Sequence, residues 1–130
     1  ISEGNLVVIA GDRTSANSRN RNVETQFLGE TANFPEGSFT LAGVLNAPIY
    51  FVFAIRKKDF DIRSPYEMHV VRATTELGGP RKERPAKIKL LLQEYSSLLE
   101  KHCLRHPYQW YNFYNFWEKS VEERLGVEND

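Results

Sequence analysis

Two short apolar runs constrain what this chain can fold into more than any other feature. The first covers residues 6–10 and stops at Gly11, and the second covers residues 49–55 and begins directly after Pro48. Both runs are too short for a typical helix and are rich in β-branched or aromatic residues, which is typical of strands that are covered on both faces. Because parallel sheets contain such strands, the two runs predict an α/β fold with a partial, mostly parallel sheet.

Hydrophobic periodicity predicts the remaining elements. Residues 23–28 and 66–73 alternate as half-exposed strands, while residues 38–45 and 85–102 place apolar side chains at helical spacing. Aromatic residues from position 109 onward predict a last helix to about residue 124. The predicted order is therefore β–β–α–β–β–α–α. It comprises a sheet of about four strands with one long and one aromatic carboxyl-terminal helix packed on it, and further strands are expected upstream.

Composition favours one domain and excludes several kinds of protein. The chain has 130 residues, of which 1–125 are predicted to form the domain and 126–130 a disordered tail. Equal numbers of acidic and basic residues, 17 of each, leave no net charge that would favour nucleic acid. The lone Cys103 lies in an apolar helical pattern, which favours a structural thiol in a reducing compartment over a reactive one. No apolar run approaches the roughly 20 residues needed to cross a bilayer.

Candidate binding residues follow the first apolar run. Asp12 and Arg13 come directly after Gly11, and in open α/β sheets the chemistry gathers at the carboxyl ends of strands. Arg19 and Arg21 follow in a polar loop. Three guanidinium groups near one strand end are suited to binding a phosphate in bidentate fashion. A solvated loop without a ligand is the alternative hypothesis.

Several short motifs occur in one order along the chain. They are Gly11-Asp12-Arg13, Phe27-Leu28-Gly29, Ala32, Phe34-Pro35, Gly37, Leu41-Ala42, Ala47-Pro48 and the late His106-Pro107-Tyr108-Gln109-Trp110, with Phe113 and Trp117. In this order they resemble the carboxyl-terminal half of the lipid A biosynthesis acyltransferases, a branch of the lysophospholipid acyltransferase superfamily. The resemblance implies a bacterial enzyme that moves a fatty acyl group from a thioester to a lipid or amino-lipid acceptor.

The resemblance also implies a donor, a location and a set of binding residues. The donor would be acyl carrier protein or acyl-coenzyme A, no cofactor would be bound, and the protein would be cytoplasmic or peripheral on the cytoplasmic face of the inner membrane. An acyl pocket would lie over Phe27, Phe34 and Phe39, although ordinary core positions are the alternative for these rings. The substrate-binding candidates are Asp12, Arg13, Arg19, Arg21, Phe27, Gly29, Phe34 and Gly37.

The catalytic pair that the superfamily resemblance implies does not occur in this sequence. That pair is a histidine followed five residues later by Asp or Glu, in which the imidazole takes a proton from the acceptor and the carboxylate orients the ring. Five positions after the three histidines stand Thr74, Pro107 and Tyr111. The chain opens on Ile1, so we expect the catalytic half of the domain upstream, as the partner of this half. The chain alone is expected to be inactive.

A non-catalytic protein- or membrane-interaction module is the alternative hypothesis. The aromatic helix would then be a docking surface. On that helix Trp110, Phe113, Tyr114 and Trp117 share one face, whereas Tyr111 and Phe116 point elsewhere, so at least one of these rings is expected to be exposed. Single-stranded nucleic-acid binding is disfavoured by the helical spacing of the aromatic residues.

Overall fold

The computed structural model describes residues 4–13, 22–57, 63–113 and 116–117. Within this part, four strands and two helices are present: β1 (Asn22–Phe27), β2 (Glu30–Pro35), α1 (Gly37–Leu45), β3 (Tyr50–Arg56), β4 (Tyr66–Arg72) and α2 (Arg84–Arg105). Short 3-10 turns precede and follow α2, at Arg81–Glu83 and Pro107–Gln109. The predictions of β1, α1, β3, β4 and α2 are therefore confirmed to within three residues at each end.

β1 and β2 form an antiparallel hairpin around a two-residue turn. Leu28 has φ of 52° and Gly29 has φ of 86°. Positive φ at both central residues defines the hairpin turn whose twist matches that of its strands. The register places Thr25 opposite Ala32, and both are buried. The sequence predicted an irregular connection over residues 32–37, and β2 occupies most of that range instead.

β3 and β4 form a second antiparallel hairpin. Phe51 and Phe53 of β3 are buried, whereas Tyr50 and Val52 are about half exposed. The unbroken apolar run predicted a strand covered on both faces, and this is wrong because β3 has one buried and one exposed face. Met68 and Val70 of β4 lie on that same exposed face, since they pair with Ala54 and Val52.

The long helix α2 packs against both hairpins. Leu91 and Leu92 of α2 have no exposed surface. Towards the first hairpin, the Ser96 hydroxyl lies 3.4 Å from the Thr25 hydroxyl. Towards the second, the Tyr95 ring contacts that of Phe51 with 5.4 Å between centroids. The core of the molecule thus lies on one face of α2.

The predicted partial parallel sheet of about four strands is wrong. The described strands form two separate two-stranded antiparallel sheets, and none of them is parallel to another. Residues 5–10, predicted as the first strand, have no regular secondary structure, and Leu6 and Val8 are each 91% exposed. A β-branched apolar run favours a strand, but a strand needs a neighbouring edge to pair with. No edge in the described part of the chain pairs with residues 5–10.

The predicted aromatic helix is also wrong wherever the structure describes it. Residues 110–113 are irregular, and Trp110 is extended with φ of −92° and ψ of 98°. The side chains of Gln109 and Trp110 bond to Arg56 and Asp12, which are distant in sequence, and such tertiary contacts outweigh the helical preference of a local pattern. The rest of the predicted helix lies outside the described residues except for Phe116 and Trp117, and the predicted tail lies outside them entirely.

We expect Gly29→Ala to destabilise the protein by about 1–2 kcal/mol, because a Cβ is disfavoured at this positive φ. Gly37→Ala is the matched control. A Cβ at Gly37 would meet no atom within 4 Å, and alanine is favoured over glycine in a helix. Urea unfolding monitored by circular dichroism measures both. Equal loss of unfolding free energy in the two variants would contradict the assignment of the turn.

Candidate functional site

The two ends of the described chain meet at Asp12. The indole Nε1–H of Trp110 donates to Asp12 Oδ2 at 3.0 Å. Beside it, Arg13 Nη2 donates to the backbone oxygen of Tyr111 at 2.6 Å, and Arg13 Nε lies 3.6 Å from Asp12 Oδ1. We call these four residues the Asp12 junction. It joins Gly11-Asp12-Arg13 to the late His-Pro-x-Gln-Trp motif.

Asp12 and Arg13 differ in exposure. The Asp12 side chain is 15% exposed and the Arg13 side chain 44% exposed. A nearly buried carboxylate that accepts an indole N–H mainly holds the two chain segments together. An exposed guanidinium keeps donors available to an anion from outside. The junction therefore has a structural residue and a charge-presenting residue side by side.

Gly11 brings the junction close to the centre of α2. A Cβ built on Gly11 would lie 2.9 Å from Cζ of Tyr95, which is closer than real Cβ contacts allow. The Tyr95 ring also contacts the rings of Phe34, Phe39 and Phe53. Burial above all, and the charge of Asp12 next, raise the pKa of the Tyr95 hydroxyl far above its usual range. The hydroxyl therefore stays protonated and does not act as a base at neutral pH.

Gln109 binds the end of β3 on the side away from β4. Ala73 N–H donates to Ile49 O and Lys57 N–H donates to Pro65 O. Because bonded pairs alternate along an antiparallel ladder, the odd-numbered residues of β3 bond to β4 and the even-numbered ones face the other edge. Arg56 is even-numbered, and its N–H donates to Gln109 Oε1 at 2.6 Å while Gln109 Nε2 donates to its carbonyl at 3.1 Å. The Gln109 amide thus takes the place of a neighbouring strand.

An apolar groove of about 700 Å³ is lined in part by the first residues of β3, Tyr50 to Val52. We call it the edge groove. It is lined by residues 5–12, by parts of α1 and by the start of β3, together with Val70 and Tyr95. The exposed side chains of Leu6, Val7 and Ile9 contribute to this lining.

The residues that were predicted to bind substrate do not form one cluster in the structure. Asp12 lines the edge groove and Arg13 is its neighbour in the junction. Phe27 and Phe34 have no exposed surface and do not line the groove, whereas Phe39 does. Gly29 forms the hairpin turn, Gly37 is the exposed first residue of α1, and Arg19 and Arg21 lie outside the described residues.

Two interactions that matter here were not predicted from the sequence. The contact between Trp110 and Asp12 was missed because Trp110 was assigned to a helical stripe. Gln109 was not singled out at all, although the motif that contains it was noted. The available signal was the proximity of Gln109 to Pro107, which ends the α2 pattern and leaves the following side chains free to bond elsewhere.

A second cluster lies where β4 meets the end of α2. The His102 ring stacks on Phe53 with 4.5 Å between centroids, and the His69 ring lies 5.1 Å from it. Burial, followed by the charges of His69 and His106, lowers the pKa of His102. His102 Nδ1 is buried and has no hydrogen-bond partner in the described part of the chain. The neutral imidazole is therefore the form that this cluster accommodates.

The structure offers no metal site and no reactive thiol among the residues it describes. No three His, Cys, Asp or Glu residues of this part are grouped to hold a metal ion. Cys103 is buried, and burial raises the pKa of its thiol to about 11. A thiol with so high a pKa is almost fully protonated at neutral pH and is a poor nucleophile.

Comparisons with known proteins give no relatives. No protein-family model, no curated protein and no solved structure matches the chain. Within the described residues, no helix has both the length and the apolar character needed to cross a membrane.

We expect the stability of the chain to fall as the pH drops below about 6.5, the usual pKa of histidine. Because the pKa of His102 is lower in the folded state than in the unfolded state, the unfolded state binds a proton at higher pH. Lowering the pH therefore stabilises the unfolded state relative to the folded state. The melting temperature, measured from pH 8 to pH 5, should vary less with pH in His102→Gln. His106→Gln is the control, and it should keep most of the pH dependence. Equal slopes in His102→Gln and the unchanged chain would refute the assignment to His102.

Proposed function

We propose that this chain is part of a bacterial acyltransferase that transfers a fatty acyl group from a thioester donor to a lipid or amino-lipid acceptor. The donor is acyl carrier protein or acyl-coenzyme A. The catalytic His-x-x-x-x-Asp/Glu pair belongs to another segment of the same domain. The protein acts in the cytoplasm, at the cytoplasmic face of the inner membrane.

The observation that carries this proposal is the Asp12 junction. The Gly-Asp-Arg and His-Pro-x-Gln-Trp motifs carry the resemblance, and Asp12 and Trp110 are separated by 98 positions. Nothing in the local sequence pattern requires these motifs to meet. Their direct contact is what two parts of one functional unit require, and it supports the family hypothesis.

Arg13 is the residue that contacts the donor in this proposal. Acyl carrier protein and coenzyme A both present phosphate groups near the thioester arm. A guanidinium binds phosphate through two parallel hydrogen bonds, which gives both attraction and orientation. Asp12 and Tyr111 hold one side of the Arg13 side chain, so less side-chain freedom is lost when an anion binds.

We expect Arg13→Ala to lower kcat/KM for the thioester donor by about tenfold, equivalent to about 1.4 kcal/mol, with little change in melting temperature. The enzyme assayed is residues 1–130 joined to the segment with the catalytic pair, and thiol release is measured. Residues 1–130 alone should give background rates, because the sequence has no His-x-x-x-x-Asp/Glu pair and the His69–Glu67 contact of 3.4 Å is made between exposed side chains of β4.

Asp12→Ala and Trp110→Phe are the matched comparisons for Arg13→Ala. Each should lower both activity and melting temperature, because each breaks the bond between Trp110 and Asp12. A melting loss for Arg13→Ala as large as that for Asp12→Ala would contradict the division of roles. A parent protein without a His-x-x-x-x-Asp/Glu element would rule out the acyltransferase itself.

A second candidate function, membrane docking, is favoured by the exposed aromatic residues after α2. Tyr108 is 92% exposed, Phe113 87% and Tyr111 55%. Exposed aromatic rings are suited to the interfacial region of a bilayer. The expectation for Tyr111 is confirmed, whereas Phe116, expected to point away from the core, is buried, and Phe113, expected on the buried face, is exposed.

We expect Tyr111→Ser and Phe113→Ser to weaken binding of the chain to vesicles of phosphatidylethanolamine and phosphatidylglycerol without changing its circular dichroism spectrum. Tyr66→Ser is the control, because Tyr66 is a half-exposed ring on β4. Co-sedimentation with the vesicles measures binding. Unchanged binding in both variants, or an equal loss for Tyr66→Ser, would assign no docking role to these rings.

A further inference from the structure

We propose that the edge groove is a slot for one extended strand of another polypeptide segment, which pairs with the free edge of β3. Under the proposed function this segment belongs to the catalytic half of the domain, and only that attribution rests on the proposed function. The slot itself follows from the backbone geometry of β3.

On the side away from β4, β3 presents a row of backbone groups that begins at the groove. Tyr50, Val52 and Ala54 are even-numbered, so their N–H and C=O groups face away from β4. Within the described part of the chain these groups have no hydrogen-bond partner. The next even residue, Arg56, shows what this edge accepts, since the Gln109 amide bonds to both its N–H and its C=O.

Residues 5–10, which also line the groove, likewise lack a backbone partner among the described residues. Leu6 and Val8 are each 91% exposed, and burying an aliphatic side chain of this size contributes about 1.5–3 kcal/mol. A strand between residues 5–10 and β3 would satisfy backbone groups on both of its own edges and cover these side chains.

The residues that line the groove indicate which kind of molecule it binds. The groove lining is mostly apolar, so the strand should carry apolar, β-branched side chains. A strand flanked on both sides must have two free edges. β3 from a second copy does not qualify, because β4 already occupies one of its edges. A fatty acyl chain has no hydrogen-bonding groups and would leave the edge of β3 unpaired.

Amide hydrogen exchange followed by NMR tests the proposal on residues 1–130. The probe is a peptide of alternating valine and threonine with lysine at both ends. With the peptide, exchange at Tyr50, Val52 and Ala54 should slow by about tenfold or more. Exchange at Phe51 and Phe53, whose N–H groups bond to β4, should not change. The same peptide with alternate backbone nitrogens methylated should give no slowing.

A pair of variants isolates the edge from the groove. Val52→Pro removes the free N–H, and the β3–β4 ladder does not use that group, so the hairpin should remain folded. This variant should lose the peptide effect. Val52→Thr keeps both the N–H and the β-branched shape, and it should retain the effect.

Three results would overturn the proposal. The first is equal binding of the methylated peptide. The second is binding of sodium laurate that blocks the peptide without slowing the three amides, which would indicate a lipid site. The third is protection of these amides without peptide in a dimer detected by sedimentation, which would indicate a second copy. None of these measurements uses acyl transfer, so their failure is distinct from failure of the proposed activity.

Discussion

Both small sheets depend on the buried face of α2. A two-stranded hairpin is marginally stable at best when alone in water, and the β1–β2 and β3–β4 hairpins share no strand. Tyr95 of α2 contacts Phe34 of the first hairpin and Phe53 of the second. The same helix face therefore supplies the core of both sheets and places Gly11, with the Asp12 junction beside it, against its centre.

Side-chain acceptors fix how the hairpins attach to the rest of the molecule. Glu100 accepts the N–H of Leu28 at 2.9 Å, in the turn of the first hairpin. Glu94 accepts the N–H of Thr74 at 2.8 Å, just after β4. Each such hydrogen bond contributes about 0.5–1.5 kcal/mol net to the free energy of unfolding. Their larger effect is to satisfy backbone groups at strand ends and thereby fix the orientation of each hairpin on α2.

The elements that could be predicted from the sequence are those whose pattern is local. The apolar spacing of α2 and the alternation of β4 lie within single elements, and both predictions agree with the structure. β2 was missed because its hairpin turn begins with Leu28, and leucine is not a residue that signals positive φ. The bond between Trp110 and Asp12 spans 98 positions, so no local pattern contains it.

The residues of the candidate site also differ in whether a local sequence pattern could predict their role. Asp12 and Arg13 were found because they follow an apolar run and belong to a motif. Phe27 and Phe34 were selected on the resemblance, and both are fully buried against other aromatic rings. Whether a phenylalanine faces the core or a pocket depends on which element packs over it, and for these two rings that neighbour includes Phe116 near the other end of the described chain.

The apolar run at residues 6–10 explains both the main error and the main inference. Its composition favours a strand that is covered on both faces, and the described part of the chain supplies neither a paired edge nor a cover. The outer edge of β3 has the complementary property, since within the described residues the backbone groups of Tyr50, Val52 and Ala54 that face away from β4 have no partner, whereas those of Arg56 bond to Gln109. Residues 5–10 and the start of β3 line the same groove, and a strand that binds between them would pair with the backbone of both. The sheet-forming preference of this run is then a property of the chain together with that strand, which is why a prediction from the run alone assigned it a parallel sheet.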